Sequence, residues 1–296
     1  MQIIYLCLRY KIAIVHAHSG KAHGLGLIAR TIYPKFQLVV HRRVDVPAHG
    51  NFFAHWKYNS KKVAHWIAIS HLIKKNLVAI GIPDQKITVI PSAIAAQRYF
   101  DLERDQLRSK LLKTYNIPHD ALIVGLASRL SKEKNIGEFL TTLVPVAEFN
   151  FVILIAGTGS EELPLKQMAA RIGFGERLQF IGFVANVPEF LGGLDIFCLP
   201  STSEGLGSVL LEAQAAGCAV AASKLPAIGE VIDDGTTGVL VATGQPSNWT
   251  VAMRKLMTEE DYRLTLGKSA RAQFPKRFTL GHLAEHTVAL YRGLAK

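Results

Sequence analysis

Short apolar runs closed by Ser, Thr, Gly or Pro recur along the sequence, and most are followed by a run of helical length. The clearest are residues 122–127, 151–156 and 196–199, followed by helical runs at 136–149, 161–172 and through Ala213 to Gly217. Strands that alternate with helices are joined by crossovers rather than hairpins, and crossovers build parallel sheets covered by helices. The first hundred residues repeat the alternation, with strands at 11–15, 37–41, 66–70 and 86–90 and helices at 22–31 and 71–80. Further strands are expected at 179–182, 219–222 and 239–241, and helices at about 246–257, 259–273 and 280–294. A chain of 296 residues can form two such domains. The expected class is therefore α/β, with a first domain at 1–100, a polar linker at 101–120, a second domain at 121–275, and a terminal helix at 276–296 crossing back to the first.

Charge is unevenly divided. Residues 1–100 hold fourteen Lys and Arg against only Asp45 and Asp84, whereas the remaining residues hold twenty against twenty-one acids. So one-sided a lobe favours an anionic partner at close range: a lipid headgroup, a phosphorylated glycolipid or nucleic acid. No helix-turn-helix, zinc-finger or aromatic-platform signature supports nucleic acid, so none is expected as a partner. No uninterrupted apolar run reaches about 18 residues, and the apolar start stops at Arg9 without a leader-like cleavage site. Cys7, Cys198 and Cys218 lie in apolar runs and read as buried thiols of a reducing compartment. A cytoplasmic location is expected, on the inner face of the membrane if the basic lobe meets lipid.

The chemistry concentrates in Pro200-Ser201-Thr202-Ser203-Glu204-Gly205-Leu206-Gly207-Ser208, which leads from a strand into the helix bearing Glu212. A strand entering a Gly-containing turn and then a helix presents unpaired amides and the positive end of the helix dipole, a setting for phosphate. Glu204 and Glu212, eight apart, suit sugar hydroxyls beside that phosphate, as a nucleotide sugar would require. Arg129 and Lys134 flank another strand-to-helix turn, 127–135, and can neutralise a diphosphate leaving group. Gly157-Thr158-Gly159 and Gly182-Phe183 close neighbouring strands, at the carboxyl ends where open α/β sheets bind ligands.

Together these segments resemble the retaining nucleotide-sugar glycosyltransferases of family 4, which have two Rossmann-like lobes, the GT-B fold. The resemblance covers about residues 12–296, and 213–217 and 234–238 add to it. It implies that Arg129 and Lys134 bind the donor diphosphate and that Glu204 contacts the transferred sugar. It further implies that the amides of Leu206 and Gly207 support phosphates or sugar, with Gly157 beside the donor. Glu212 would accept bonds from the ribose hydroxyls, and the backbone near Val184 would lie by the base. His18, in His16-Ala17-His18, matches the family's first-lobe histidine near the transferred sugar. The implied reaction moves a sugar from a UDP- or GDP-sugar to a glycan or glycolipid acceptor, with retention, no cofactor and no metal. The absence of an Asp-x-Asp pair agrees. A His-x-His pair can also open a metal site, but further ligands at comparable strand ends are not evident in the sequence. Lys21, His41, Arg42 and Arg43 could line an acceptor site.

Three departures stand out. The first lobe lacks the strand and Gly-rich turn that usually begin it, so an incomplete lobe is expected. The alternative reading is accordingly a non-catalytic, nucleotide-sugar-binding remnant. Residues 91–95 replace a more usual Asn/Ser-Gly turn, and Asn135 takes a position that is often Gly.

Overall fold

In the computed structural model, residues 2–44 and 56–295 are described. Asp45, counted in the charge balance above, lies outside them. The chain divides into two compact units: Met1–Ala93 with Lys276–Lys296, and Ile94–Pro275.

The first unit contains a four-stranded parallel sheet in the order β1-β2-β3-β4, formed by Ile14–Ala17, Gln37–Arg42, Val63–Ala68 and Ile87–Val89. Two serines at the carboxyl ends of strands start the helices. Ser19 accepts from the Ala22 amide at 3.2 Å ahead of helix Gly20–Ile32, and Ser70 accepts from the Ile73 amide at 3.2 Å ahead of helix His71–Ala79. Each cap satisfies an amide the helix cannot. Val39, Ile67 and Ile90 form the core on one face, covered by Leu283, Leu290 and Leu294 of helix Leu280–Leu294.

The second unit contains a six-stranded parallel sheet in the order β10-β9-β8-β5-β6-β7. In chain order the strands are Leu122–Ala127 (β5), Phe151–Ala156 (β6), Leu178–Gly182 (β7), Ile196–Leu199 (β8), Ala219–Ser223 (β9) and Val239–Val241 (β10). This is the doubly wound order in which the chain steps outward from β5 on one side, then returns to β5's other edge. The reversal between β5 and β8 leaves a crevice at their carboxyl ends. Both faces are covered, so the strands are apolar throughout; all six residues of β6 are buried. Phe139, Phe151, Ile153 and Ile196 are fully inaccessible in the core, each contributing about 1.5–3 kcal/mol by burial.

Two sequence expectations need correction. Residues 101–120 are not a linker. Helix Arg104–Thr114 occupies them and belongs to the second unit, with Leu111 and Leu112 buried. Its weakly apolar face looked like solvated chain because two of its contacts are made by cations. Arg104 donates to the carbonyls of Ala216 and Leu194 at 2.7 and 2.8 Å, and Arg108 donates to the Ala121 carbonyl and pairs with Asp195. The helix expected over 136–149 stops at Thr142, and a 3₁₀ turn, Val144–Val146, follows around Pro145. Proline removes the amide that would continue an α-helix.

Candidate active site

The loops after β5 and β8 meet at the reversal of the second sheet. The Thr202 amide donates to the Glu133 carbonyl at 2.8 Å, tying one loop to the other. Beside that tie, Lys134 Nζ lies 2.6 Å from Glu204 Oε1, with side chains 19% and 11% exposed. Ser201 Oγ donates to the same carboxylate oxygen at 2.8 Å. Two residues 70 positions apart are thus joined by a short, partly desolvated, charge-assisted bond. Asn135 ends this loop in the left-handed region, φ 52°, which explains how asparagine serves where glycine is common.

A cleft of about 380 Å³ opens at the carboxyl ends of β5 and β6. Ser128, Arg129, Gly157, Val184, Val209 and Glu212 are among its lining residues. Gly157 has φ +125°, and a Cβ there would fall 1.8 Å from the Ser128 carbonyl oxygen. The two strand-end loops can lie this close only because position 157 has no side chain. Phe183, 80% exposed, also lines this cleft.

Helix Ser208–Ala216 begins behind Gly207, whose φ of 73° sets the turn. The first amides of such a helix have no partner within it and carry the positive end of its dipole. Leu206 is buried, 2% exposed, so its side chain is core while its backbone belongs to the turn. Glu212, on this helix, is half-buried. Burial raises its pKa, opposed by a hydrogen bond from Tyr99 and by the Arg98 charge. Tyr99 Oη donates to Glu212 Oε1 at 2.8 Å.

Of the residues singled out in the sequence, Arg129, Gly157, Val184 and Glu212 therefore share one cleft. Lys134 and Glu204 pair with each other at the adjoining loop contact, and Leu206 and Gly207 build the turn into the helix. Lys134 is engaged by a carboxylate instead of lining the cleft with Arg129. His18 belongs to the first unit. It follows β1, its ring is exposed, and burial followed by the Arg43 charge lowers its pKa. Sequence reasoning missed Tyr99 and Ser201 as partners of the two glutamates. Nothing local marks Tyr99, which lies 113 positions from Glu212, whereas Ser201 sits three residues from its partner.

A second hollow, about 170 Å³, lies by the C-terminal end of helix Ser208–Ala216 and includes Arg104, Arg263 and Arg271. Its guanidinium groups are bound to the carbonyls of Ala216, Leu256 and Phe100, so they cap backbone.

Residues 108–273 match the family described as Glycosyl transferases group 1, and residues 2–98 match Glycosyltransferase Family 4. The chain belongs to the glycosyl transferases group 1 family, and it is a glycosyltransferase. It is 26% identical over 291 residues to the O-antigen biosynthesis glycosyltransferase WclY of Escherichia coli, covering 95% of this chain and 79% of that protein. It is 26% identical over 225 residues to the N-acetyl-alpha-D-glucosaminyl L-malate synthase of Bacillus anthracis, covering 76% of this chain and 58% of that protein. Among solved structures, Anabaena HepE in complex with UDP and glucose superposes with a TM-score of 0.89 at 22% identity, covering 98% of this chain and 80% of that one. The two α/β units are those of the GT-B fold.

Proposed function

We propose that the chain transfers a sugar from a nucleoside diphosphate sugar to a glycan or glycolipid acceptor, with retention of configuration and without a metal in the transfer step. The observation that carries this reading is the cleft at the carboxyl ends of β5 and β6. It holds a guanidinium, Arg129, and a half-buried carboxylate, Glu212, beside a loop bearing the Lys134–Glu204 pair. Glu212 accepts from the ribose hydroxyls, and the backbone at Val184 meets the base. Arg129 and the amides at the start of helix Ser208–Ala216 hold the diphosphate. Lys134 adds positive charge there while it orients Glu204 toward the transferred sugar.

In the transfer, the bond between the anomeric carbon and the phosphate oxygen breaks, and its electron pair leaves on the diphosphate. The acceptor oxygen bonds to the anomeric carbon on the same face, and its proton passes to the departing phosphate oxygen. The cations stabilise charge that grows only as that bond breaks, which is where electrostatics lower a barrier. HepE has been solved with UDP and with UDP-glucose, which supports a nucleotide-sugar donor. The names of WclY and of the capsular polysaccharide biosynthesis glycosyltransferase CapM of Staphylococcus aureus support a glycan acceptor. The basic first hundred residues favour an anionic acceptor at a membrane surface, and Tyr5, Leu8 and Tyr10 are exposed on helix Gln2–Tyr10. No described helix is long and apolar enough to cross a membrane.

The test is titration calorimetry of UDP, GDP and their sugars, followed by acceptor-dependent release of nucleoside diphosphate. Binding of one nucleoside diphosphate that is lost in Glu212→Ala, with turnover lost in Glu204→Ala, is expected. Tight binding unaffected by Glu212→Ala would move the donor site elsewhere.

A further inference from the structure

The His-x-His pair of the first unit finds in the structure the partner that its sequence lacked. Residues two apart on a strand project from the same face, so the pleat places His16 and His18 together. The parallel register pairs His16 with Val39 and Ala17 with Val40, which brings His41 to the level of residue 18 on the same face. The ring centroids lie 3.9 Å apart for His16 and His18, 5.5 Å for His16 and His41, and 5.3 Å for His18 and His41. One nitrogen from each ring can be chosen so that all three lie within 4.8 Å of one another. Imidazole ligands about 2.0–2.1 Å from a tetrahedral ion sit roughly 3.3 Å apart, so modest side-chain rotation completes the set.

Hydrogen bonding points the same way. His41 is 5% exposed, and neither of its ring nitrogens has a partner among the described residues. His16 Nε2 is likewise buried and unpartnered. Its other nitrogen, Nδ1, lies 2.5 Å from the Tyr291 hydroxyl. Buried polar atoms rarely remain unpaired. With Nδ1–H donating to that hydroxyl, Nε2 is left unprotonated and free to ligate, the usual outer support of a metal-bound histidine. A single histidine serving the transferred sugar accounts for one of these rings, not for three converging.

We propose that His16, His18 and His41 form a binding site for one divalent transition-metal ion of the zinc type. Three imidazoles suit zinc, copper or nickel rather than magnesium or calcium, which favour oxygen. The exposed ring of His18 is the side from which the ion enters, and a fourth position stays open there. Arg43 is the charged group acting on all three rings. It opposes the cation and so favours an anionic fourth ligand. The site does not depend on the transfer chemistry proposed above.

The experiment uses untagged, chelator-stripped full-length chain dialysed against micromolar zinc chloride, with bound metal counted by mass spectrometry and affinity measured against a chromophoric chelator. One zinc per chain is expected, with affinity at least tenfold weaker in His41→Ala and in His18→Ala. His18 is exposed, so its variant keeps the fold, which circular dichroism checks. The double variant His282→Ala/His286→Ala removes another adjacent histidine pair and should retain the ion. X-ray absorption should show three imidazole ligands. No stoichiometric zinc, or zinc that survives His18→Ala unchanged, would overturn the proposal and leave the three rings packed together without an ion.

Discussion

Tyr99 and Glu212 are 113 residues apart, and the tyrosine hydroxyl donates to the glutamate carboxylate at 2.8 Å. Tyr99 is 3% exposed, so its ring is anchored in the core and the hydroxyl is a fixed donor. Burial raises the pKa of Glu212 and the tyrosine bond opposes that rise. Donor affinity should therefore fall as pH drops through the raised pKa, because only the ionised carboxylate accepts from two ribose hydroxyls. Tyr99→Phe keeps the ring and removes the bond. It should move this acid limb to higher pH and weaken donor binding about tenfold or more, as expected for a bond to a charged group. Binding of the 2′,3′-dideoxy nucleoside diphosphate should change little. Calorimetry across pH reads both, and equal losses for the two nucleotides would assign Tyr99 a structural role alone.

The Lys134–Glu204 pair makes a second prediction. Each partner is mostly shielded from water, so removing one strands the other's charge. Lys134→Ala and Glu204→Ala should each depress turnover by roughly tenfold or more. The double variant should fall short of the product of the two losses, with a coupling of about 1–3 kcal/mol. Fully multiplicative losses in kcat/KM would mean that the two side chains act independently in the working enzyme.

The sequence showed the strands of the second unit almost to the residue, because strands buried on both faces are written as continuous apolar runs closed by turn residues. Gly157 and Gly207 were legible because tight turns at strand ends demand glycine. Helix Arg104–Thr114 was not legible. Its burial is made by Leu111 and Leu112 with guanidinium groups that cap distant carbonyls, and charged residues read as solvated chain. The site residues were legible as a cluster of cations and carboxylates, but their partners were not. That Lys134 would pair with Glu204, or His41 join His16 and His18, depends on sheet order and register, which local sequence does not state.

Gly157 tests how closely the two strand-end loops must approach. Any side chain at this position meets the Ser128 carbonyl and also has to adopt φ +125°. Gly157→Ala should destabilise the second unit by about 2–4 kcal/mol, combining backbone strain with overpacking. Gly173→Ala provides the control. It also has positive φ, +80°, but open space around it, so only the strain is paid. Urea denaturation followed by circular dichroism should rank the two, and equal losses would show that the 157 contact relaxes freely.

The final prediction concerns acid stability. His23 is 1% exposed, with its ring 5.1 Å from Trp66 and nearly perpendicular to it. Burial, then the charges of Lys57 and Arg42, lowers its pKa from 6.5 to about 4. In the unfolded chain the imidazole takes a proton as pH falls below about 6.5, whereas in the folded chain it does so only near 4. Between those values the unfolded chain binds more protons, so acidification must favour unfolding there, and the effect levels off below about 4. Urea midpoints of the intact chain, measured with chelator present, should decline through this window. His23→Leu, which removes the titrating group and fills much of the same apolar volume, should lessen the decline without abolishing it, since His16 and His41 shift in the same direction. A decline of unchanged steepness in His23→Leu would show that the ring takes its proton in the folded chain as readily as in the unfolded one.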